Sequence, residues 1–220
     1  MSNYDINSNP ALVRQLIDSE KESNEKYYAE HPDALTLQFE KELRELGYEF
    51  EVLSQTKQFM PKHKETILPI AIRYYKQATG NDKNFFLDFF HFRGLEEVVP
   101  MLLEDYYSSD IPDLTRWFIT SCLYQIRSKI YVNDYLKIIQ NPEYGINRQL
   151  IILLVAKLKV EEAIPIYVDL LEDESVRLHA ISALGDYKRE EFRPYFERFE
   201  NDKHSGWRKY AKSALKKLGK

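Results

Sequence analysis

Apolar residues recur at helical spacing along most of the chain, in short segments separated by polar turns. Two C-terminal segments show this best, with apolar residues at i, i+4, i+7 and i+8: Val176, Ala180, Ala183 and Leu184, then Trp207, Ala211, Ala214 and Leu215. This spacing predicts amphipathic helices. Only 7 glycines and 9 prolines occur in 220 residues, which argues against an all-β fold because such folds need frequent turns.

Two sequence elements recur with a period of about 30 residues. A Glu-Glu-x-x-Pro block ends at Pro100, Pro165 and Pro194, with a looser copy at Pro69, and residues 131–140 fill the gap. After each block, one register position is occupied in turn by Asn84, Arg116, Arg148, Arg177 and Arg208, at steps of 32, 32, 29 and 31. Each unit is therefore predicted to be two antiparallel helices, A then B. Such pairs must stack to bury their apolar faces.

The two C-terminal copies follow a fuller pattern. It consists of Pro165, Leu170, Leu171, Asp173, Val176, Arg177, Ala180, Ala183, Leu184 and Gly185, then Pro194, Asp202, Arg208, Ala211, Ala214, Leu215 and Gly219. This pattern resembles HEAT repeats, and it is nearest to the short bacterial HEAT-like repeats. The resemblance implies an all-α, right-handed, armadillo-type solenoid of about five helix pairs, with the B helices on the concave face. It also implies that each repeated arginine reaches the acidic A–B turn of a neighbouring unit, with Asp173 and Asp202 as acceptors.

Residues 1–60 differ from the repeats, since they hold 12 acidic and 6 basic residues. Asn9-Pro10 predicts a helix start, and Pro32 ends that helix. A second helix is predicted from Asp33 to Gly47, which supplies the C-cap. We therefore expect an N-terminal helical cap over 1–60 and one continuous solenoid domain over 61–220.

Several classes of site are disfavoured by the composition. Cys122 is the only cysteine, which excludes disulfides and Cys-based zinc sites, and we expect it in the core. None of the five histidines has the spacing of a metal motif, so we expect no metal and no cofactor. No apolar run reaches the roughly 18 residues of a membrane span. The N-terminus lacks a signal-peptide pattern, and we expect a cytoplasmic protein with no membrane partner.

The paired glutamates, such as Glu161 and Glu162, are the candidate catalytic carboxylates. Because the pair recurs at the start of successive A helices, we interpret it as negative charge that stabilises helix N-termini. The sequence also lacks a Gly-rich phosphate loop and a Gly-x-Ser-x-Gly elbow. We therefore expect no enzymatic activity.

Charge is distributed unequally between the two helix layers, with a net of −10 over the expected A helices and +13 over the B helices. Apolar residues also occupy B-helix positions that should turn away from the A layer. The expected partner-binding groove comprises Phe86, Phe89, Phe118, Gln125, Leu150, Leu153, Lys157, His179, Tyr210 and Lys217. Two alternatives remain open, since the N-terminal helices or a twist in register could cover the aromatic positions. Exposed apolar positions of this kind mark binding sites.

These features predict a non-catalytic scaffold or adaptor that binds a protein or peptide with acidic and apolar groups. The alternative is a HEAT-like DNA-alkylation glycosylase, which would use Trp117, Trp207 and the arginines to hold damaged DNA. That class needs a well-placed Asp, whereas Ser121 stands one turn after Trp117. The net charge of −4 also makes nucleic acid the less favoured partner.

Overall fold

The computed structural model describes residues 9–218. In this range the chain forms twelve α-helices, joined by turns and 3₁₀ segments, and no strand. The helices are α1 Pro10–Glu30, α2 Leu35–Glu45, α3 Met60–Gln77, α4 Lys83–Leu87, α5 Val99–Tyr107, α6 Asp113–Ile126, α7 Val132–Gln140, α8 Gln149–Lys157, α9 Ile164–Leu170, α10 Arg177–Tyr187, α11 Arg193–Glu197 and α12 Ser205–Leu215. The all-α prediction is thus confirmed. None of the described helices has both the length and the apolar character needed to cross a bilayer.

The chain divides into two compact units, which we call unit 1 (Met1–Phe89) and unit 2 (Phe90–Lys220). Unit 1 contains α1 to α4, and unit 2 contains α5 to α12. The sequence predicted a boundary between the N-terminal cap and the repeats near residue 60. The structure divides after Phe89, so α3 and α4 belong to unit 1.

Unit 1 begins with the predicted capped helix. The Asn9 side chain accepts a hydrogen bond from the Leu12 N–H at 3.2 Å, and α1 ends just before Pro32. Gly47 follows the C-cap of α2, and its φ of +86° is the left-handed conformation that glycine adopts without strain. α3 packs against α2, α4 and the 3₁₀ segment Leu53–Phe59. Phe39 and Leu43 of α2 are fully buried in this arrangement.

α1 is held in a different way from the other long helices, because none of its 21 residues is buried. Its contacts with the segment that follows α2 include ion pairs and hydrogen bonds. Glu20 accepts hydrogen bonds from the Ser54 N–H at 3.0 Å and hydroxyl at 2.6 Å, while Arg14 and Lys21 pair with Glu51 at 2.9 and 2.7 Å. Exposed contacts of this kind stabilise a structure only weakly.

Unit 2 is built from four helix pairs: α5 with α6, α7 with α8, α9 with α10, and α11 with α12. The second members also pack in series, α6 on α8, α8 on α10, and α10 on α12. We call these four the B helices. At the last contact, a Cβ added to Gly185 would lie 2.9 Å from the Ala214 Cβ. The glycine therefore permits the close approach of α10 and α12.

The Glu-Glu-x-x-Pro blocks have one recurring conformation. In each, a three-residue 3₁₀ turn carries both glutamates and leads into an α-helix with proline in its first turn. Proline suits this position because the N–H that it lacks would have no partner within the helix. Glu161 of one block pairs with Arg189 of the next at 2.5 Å.

Three B helices end in the same way. Arg127, Lys159 and Lys188 follow α6, α8 and α10 with φ of 58°, 58° and 57°. They stand 32 and 29 residues apart, at the same steps as Arg116, Arg148 and Arg177. Gly219, which continues this register and belongs to the HEAT-like pattern, lies outside the described residues.

A glycine at the end of α10 is expected to stabilise the protein. Lys188 is exposed and left-handed, a conformation that is strained for residues with a Cβ. Lys188→Gly should raise the free energy of unfolding by about 0.5–1 kcal/mol, measured by urea denaturation. Lys209→Gly, at an exposed position inside α12, should instead lower it by about 1 kcal/mol. Destabilisation by both changes would contradict the strain argument.

Candidate functional site

Eight of the ten expected groove residues lie in unit 2, on or just after the four B helices. α6 carries Phe118 and Gln125, α8 carries Leu150, Leu153 and Lys157, α10 carries His179, α12 carries Tyr210, and Lys217 follows α12. All eight are half-buried or exposed. We call the surface on which they lie the B-helix face.

Phe86 and Phe89 do not belong to this surface. Both are buried in unit 1, where their rings lie 5.6 and 5.1 Å from the ring of Phe39 on α2. The expectation that they form exposed groove positions is therefore wrong. For these two rings the alternative of coverage by an N-terminal helix is correct, because α2 supplies an aromatic partner that the repeat pattern does not show.

The most exposed apolar side chains of the B-helix face lie at the starts of α6 and α8. Leu114 is 55% exposed, Trp117 is 39% exposed and Ile146, just before α8, is 58% exposed. Leu114 and Ile146 occupy equivalent registers 32 residues apart, and α6 packs against α8. We call Leu114, Trp117 and Ile146, with the half-buried Phe118 and Leu150, the apolar cluster.

Leu114 and Ile146 were not among the expected groove residues. A signal was present in the sequence, because both precede a repeated arginine by two positions and so share one register. In the structure both side chains lie in solvent, where apolar groups mark interaction surfaces.

Two basic residues of the B-helix face already contact other side chains of the protein. Lys217 Nζ lies 2.7 Å from Asp186 Oδ1, and Lys157 Nζ lies 4.2 Å from the centre of the Tyr124 ring. Gln125, Lys157, Asp186 and Lys217 occupy one register of successive B helices. Asp186 thus interrupts the positive row.

His179 lies half-buried on α10 in the register of Leu150 and Tyr210. Its Nδ1 atom is buried and has no hydrogen-bond partner among residues 9–218. Burial lowers the pKa of His179 below its usual value because the charged imidazolium would lose hydration. A neutral ring is therefore favoured at neutral pH.

Arg116, Arg177 and Arg208 each bind two main-chain carbonyls of their own helix pair. Because these carbonyls lie at the end of the preceding A helix or in the turn after it, each guanidinium supplies donors that the helix end lacks. The acceptors are Tyr106 (3.0 Å) and Ser108 (2.9 Å) for Arg116, Leu171 (2.5 Å) and Glu172 (3.2 Å) for Arg177, and Asp202 (2.5 Å) and Lys203 (3.3 Å) for Arg208.

Among the described residues, Arg116, Arg177 and Arg208 form no ion pair with the acidic turn of a neighbouring unit, so that expectation is wrong for these three. Arg116 and Arg177 contact the following pair through rings instead, with Tyr144 at 5.9 Å and Trp207 at 4.2 Å. The carboxylate of Asp202, one of the two expected acceptors, instead accepts from the His204 N–H at 2.7 Å. Asn84, the fifth member of the register, lies in unit 1, and its buried Oδ1 has no hydrogen-bond partner in the described part of the chain.

Arg148 makes the expected link. It is 1% exposed, and its Nη2 lies 2.5 Å from Asp173 Oδ2 in the A–B turn of the following pair. The same guanidinium donates to the carbonyls of Gly145 at 3.1 Å and Ile139 at 3.4 Å. Ser175 fixes the other Asp173 oxygen through its hydroxyl at 2.6 Å and its N–H at 3.0 Å. One buried cation thus joins two helix pairs.

Asp173 should make stability depend on pH. Partial burial alone would raise its pKa, but hydrogen bonds from Ser175 and Arg148 lower the pKa of this carboxyl overall. A lowered folded-state pKa stabilises the protein above the unfolded pKa of about 4, and the contribution is lost as pH falls through the folded value. The difference in unfolding free energy between the native chain and Asp173→Asn, measured in urea, should therefore shrink below about pH 4. A pH-independent difference would contradict this assignment.

Cys122 is buried in α6, as expected of a core residue. Within residues 9–218, no three His, Cys, Asp or Glu side chains form a group that could hold a metal ion.

Comparison with models of known protein families, with curated proteins and with solved structures gave no match. The likeness to HEAT repeats therefore depends on the repeated residues and on the repeated geometry described above.

Proposed function

We propose that this protein is a non-catalytic binding module that holds a protein or peptide partner on the B-helix face of unit 2. The observation that carries the proposal is the apolar cluster. Three large apolar side chains lie in solvent at the starts of two helices that pack together. Contiguous exposed apolar surface is costly in water, and it is typical of sites that a partner covers.

A HEAT-like, right-handed solenoid is the architecture that we propose for the repeats. In its support, the B helices of unit 2 pack in series and each packs on its own A helix. Arginines that bind the preceding turn and left-handed residues at B-helix ends recur at the same steps. Arrays of this kind expose one long face that is suited to extended partners.

The partner's chemistry follows from the two ends of the face. The apolar cluster on α6 and α8 favours aromatic or aliphatic anchors, which dominate binding at the centre of interfaces. Lys209 and Lys212 on α12, and Lys216 just after it, are exposed, and they form no ion pair within the described residues. Free cations there favour acidic groups, which would steer association more than they would add affinity.

A site-specific crosslink tests this proposal. A photoreactive residue is placed at Ile146, and a matched one at Ile130, which is 70% exposed in the turn after α6 and outside the apolar cluster. Both chains are expressed in cells, irradiated and analysed by mass spectrometry. We expect one discrete protein adduct from position 146 and none from position 130.

Equal, diffuse labelling from both positions would contradict the proposal. The purified protein is tested in parallel with alkylated DNA at about 150 mM salt, where phosphate contacts give a steep dependence of affinity on salt. Release of a free base would contradict the adaptor function and support the glycosylase alternative. The carboxylate to mutate would then be Asp186, which lies in the register of Lys157 and Lys217.

A further inference from the structure

A cavity of about 330 Å³ lies between α1 and the rest of unit 1. Three aromatic residues line it, Tyr27, Tyr28 and Phe85, together with three acidic residues, Glu20, Asp82 and Asp88. No Lys or Arg belongs to its lining. The volume falls within the range of small-ligand sites in proteins, and the lining combines π faces with negative charge.

The carboxylates are only partly neutralised. Asp88 pairs with Lys57 at 3.1 Å, and Glu20 accepts two hydrogen bonds from Ser54. Asp82 has neither an ion pair nor a side-chain hydrogen bond within residues 9–218. Three carboxylates therefore lie at the cavity, and the ammonium group of Lys57 neutralises only one of them. The cavity is left with an excess of negative charge.

Within residues 9–218, the aromatic rings of the cavity carry no Lys or Arg, although the His31 ring stacks on Tyr27 with 4.4 Å between the ring centres. Elsewhere in unit 1, Arg44 lies over Phe50 and Lys83 over Tyr75, each at 4.1 Å from the ring centre. In the described part of the chain, no Lys or Arg lies over Tyr27, Tyr28 or Phe85. Tyr28 is half-buried, and burial raises the pKa of its hydroxyl. A poorly hydrated ring binds a cation more strongly than an exposed one.

We propose that this cavity binds an organic cation of the alkylammonium or alkylguanidinium type. The aromatic rings would contact the alkyl part and the cationic face, while Asp82 and Glu20 would balance the charge. A free amine and the Lys or Arg side chain of a partner offer the same chemistry. This site lies in unit 1, and it does not depend on the function proposed for unit 2.

The test is a calorimetric titration of the full chain at about 50 mM salt, where screening is modest. The probes are n-butylammonium, n-butylguanidinium and the uncharged 1-butanol. A second arm uses the blocked tripeptides Gly-Lys-Gly and Gly-acetyl-Lys-Gly. We expect saturable binding of the cations and no measurable binding of 1-butanol or the acetylated peptide. A lysine peptide that binds at least tenfold more tightly than n-butylammonium assigns the site to a partner's side chain, and equal affinity assigns it to a free amine.

Matched variants locate the binding. Asp82→Asn should weaken n-butylammonium by about fivefold or more, whereas Glu22→Gln, an equal charge change on the exposed surface of α1, should have less than about a twofold effect. Tyr27→Leu should weaken binding by about threefold or more, and Tyr107→Leu, at an equally exposed tyrosine of unit 2, should leave it unchanged. Thermal melts confirm folding of each variant. Binding of 1-butanol equal to that of n-butylammonium, or equal losses in variants and controls, would overturn the proposal.

Discussion

Replacing Arg148 by alanine is expected to lower the free energy of unfolding by about 3–5 kcal/mol, because it removes a buried cation that is paired with a half-buried carboxylate and bound to main-chain carbonyls. The Arg148 guanidinium binds Asp173 and two main-chain carbonyls at once. Its loss would leave these acceptors without their donor, and each unsatisfied buried group costs about 1–3 kcal/mol. Urea denaturation followed by circular dichroism measures the effect.

Three controls separate this link from ordinary side-chain loss. Arg148→Met retains most of the buried volume and should still lose most of the stability. Arg177→Ala, which removes hydrogen bonds to its own turn and a ring contact with Trp207 but no ion pair between helix pairs, should cost about 1–3 kcal/mol. Lys216→Ala, at an exposed position, should cost less than about 0.5 kcal/mol. If Arg148→Ala lowered the free energy of unfolding no more than Arg177→Ala, the ion pair between helix pairs would add no stability beyond that of hydrogen bonds within one pair.

Introducing a charge into the apolar cluster is expected to weaken partner binding by about 2 kcal/mol or more, which corresponds to roughly thirtyfold in affinity. Ile146→Asp is the sharpest form of this experiment. Its side chain is already 58% exposed, so the change should cost little folding stability. In a complex, however, the aspartate would be buried against apolar anchors without a partner. Affinity for the crosslinked partner, measured by calorimetry, gives the result.

Ile130→Asp is the matched control, because it introduces the same charge at a more exposed isoleucine in the same unit. It should change the affinity by less than about twofold, since surface changes outside an interface have small effects. Phe118→Ala should fall between the two, as the ring is half-buried beside Trp117. Equal effects at positions 130 and 146 would move the binding site away from the apolar cluster.

Much of the helix layout follows from local chemistry. Asn9 caps α1, proline stands in the first turn of three A helices, and Gly47 follows the C-cap of α2. These features need only neighbouring residues to act, so the sequence shows them directly. The left-handed ends of α6, α8 and α10 were not predicted, because lysine and arginine are unusual in that conformation.

The site was harder to predict because its residues depend on packing across the chain. The burial of Phe86 depends on Phe39, which lies 47 positions earlier in an element outside the repeats. The arginine partners depend on the reach of a long side chain, which can bind its own turn as readily as the next one. Among the repeated arginines of the described residues, only Arg148 forms an ion pair with the following helix pair, and its register alone does not distinguish it from Arg177.

The polar attachment of α1 has a consequence for any ligand of the cavity beneath it. A helix with no buried residue gains little from docking, so the docked and undocked forms can lie close in free energy. The observed dissociation constant then equals the intrinsic one divided by the docked fraction. A variant that strengthens the contact of Arg14 with Glu51, neither of which lines the cavity, would tighten binding without touching the ligand, and ligand would in turn shift the helix towards its docked form.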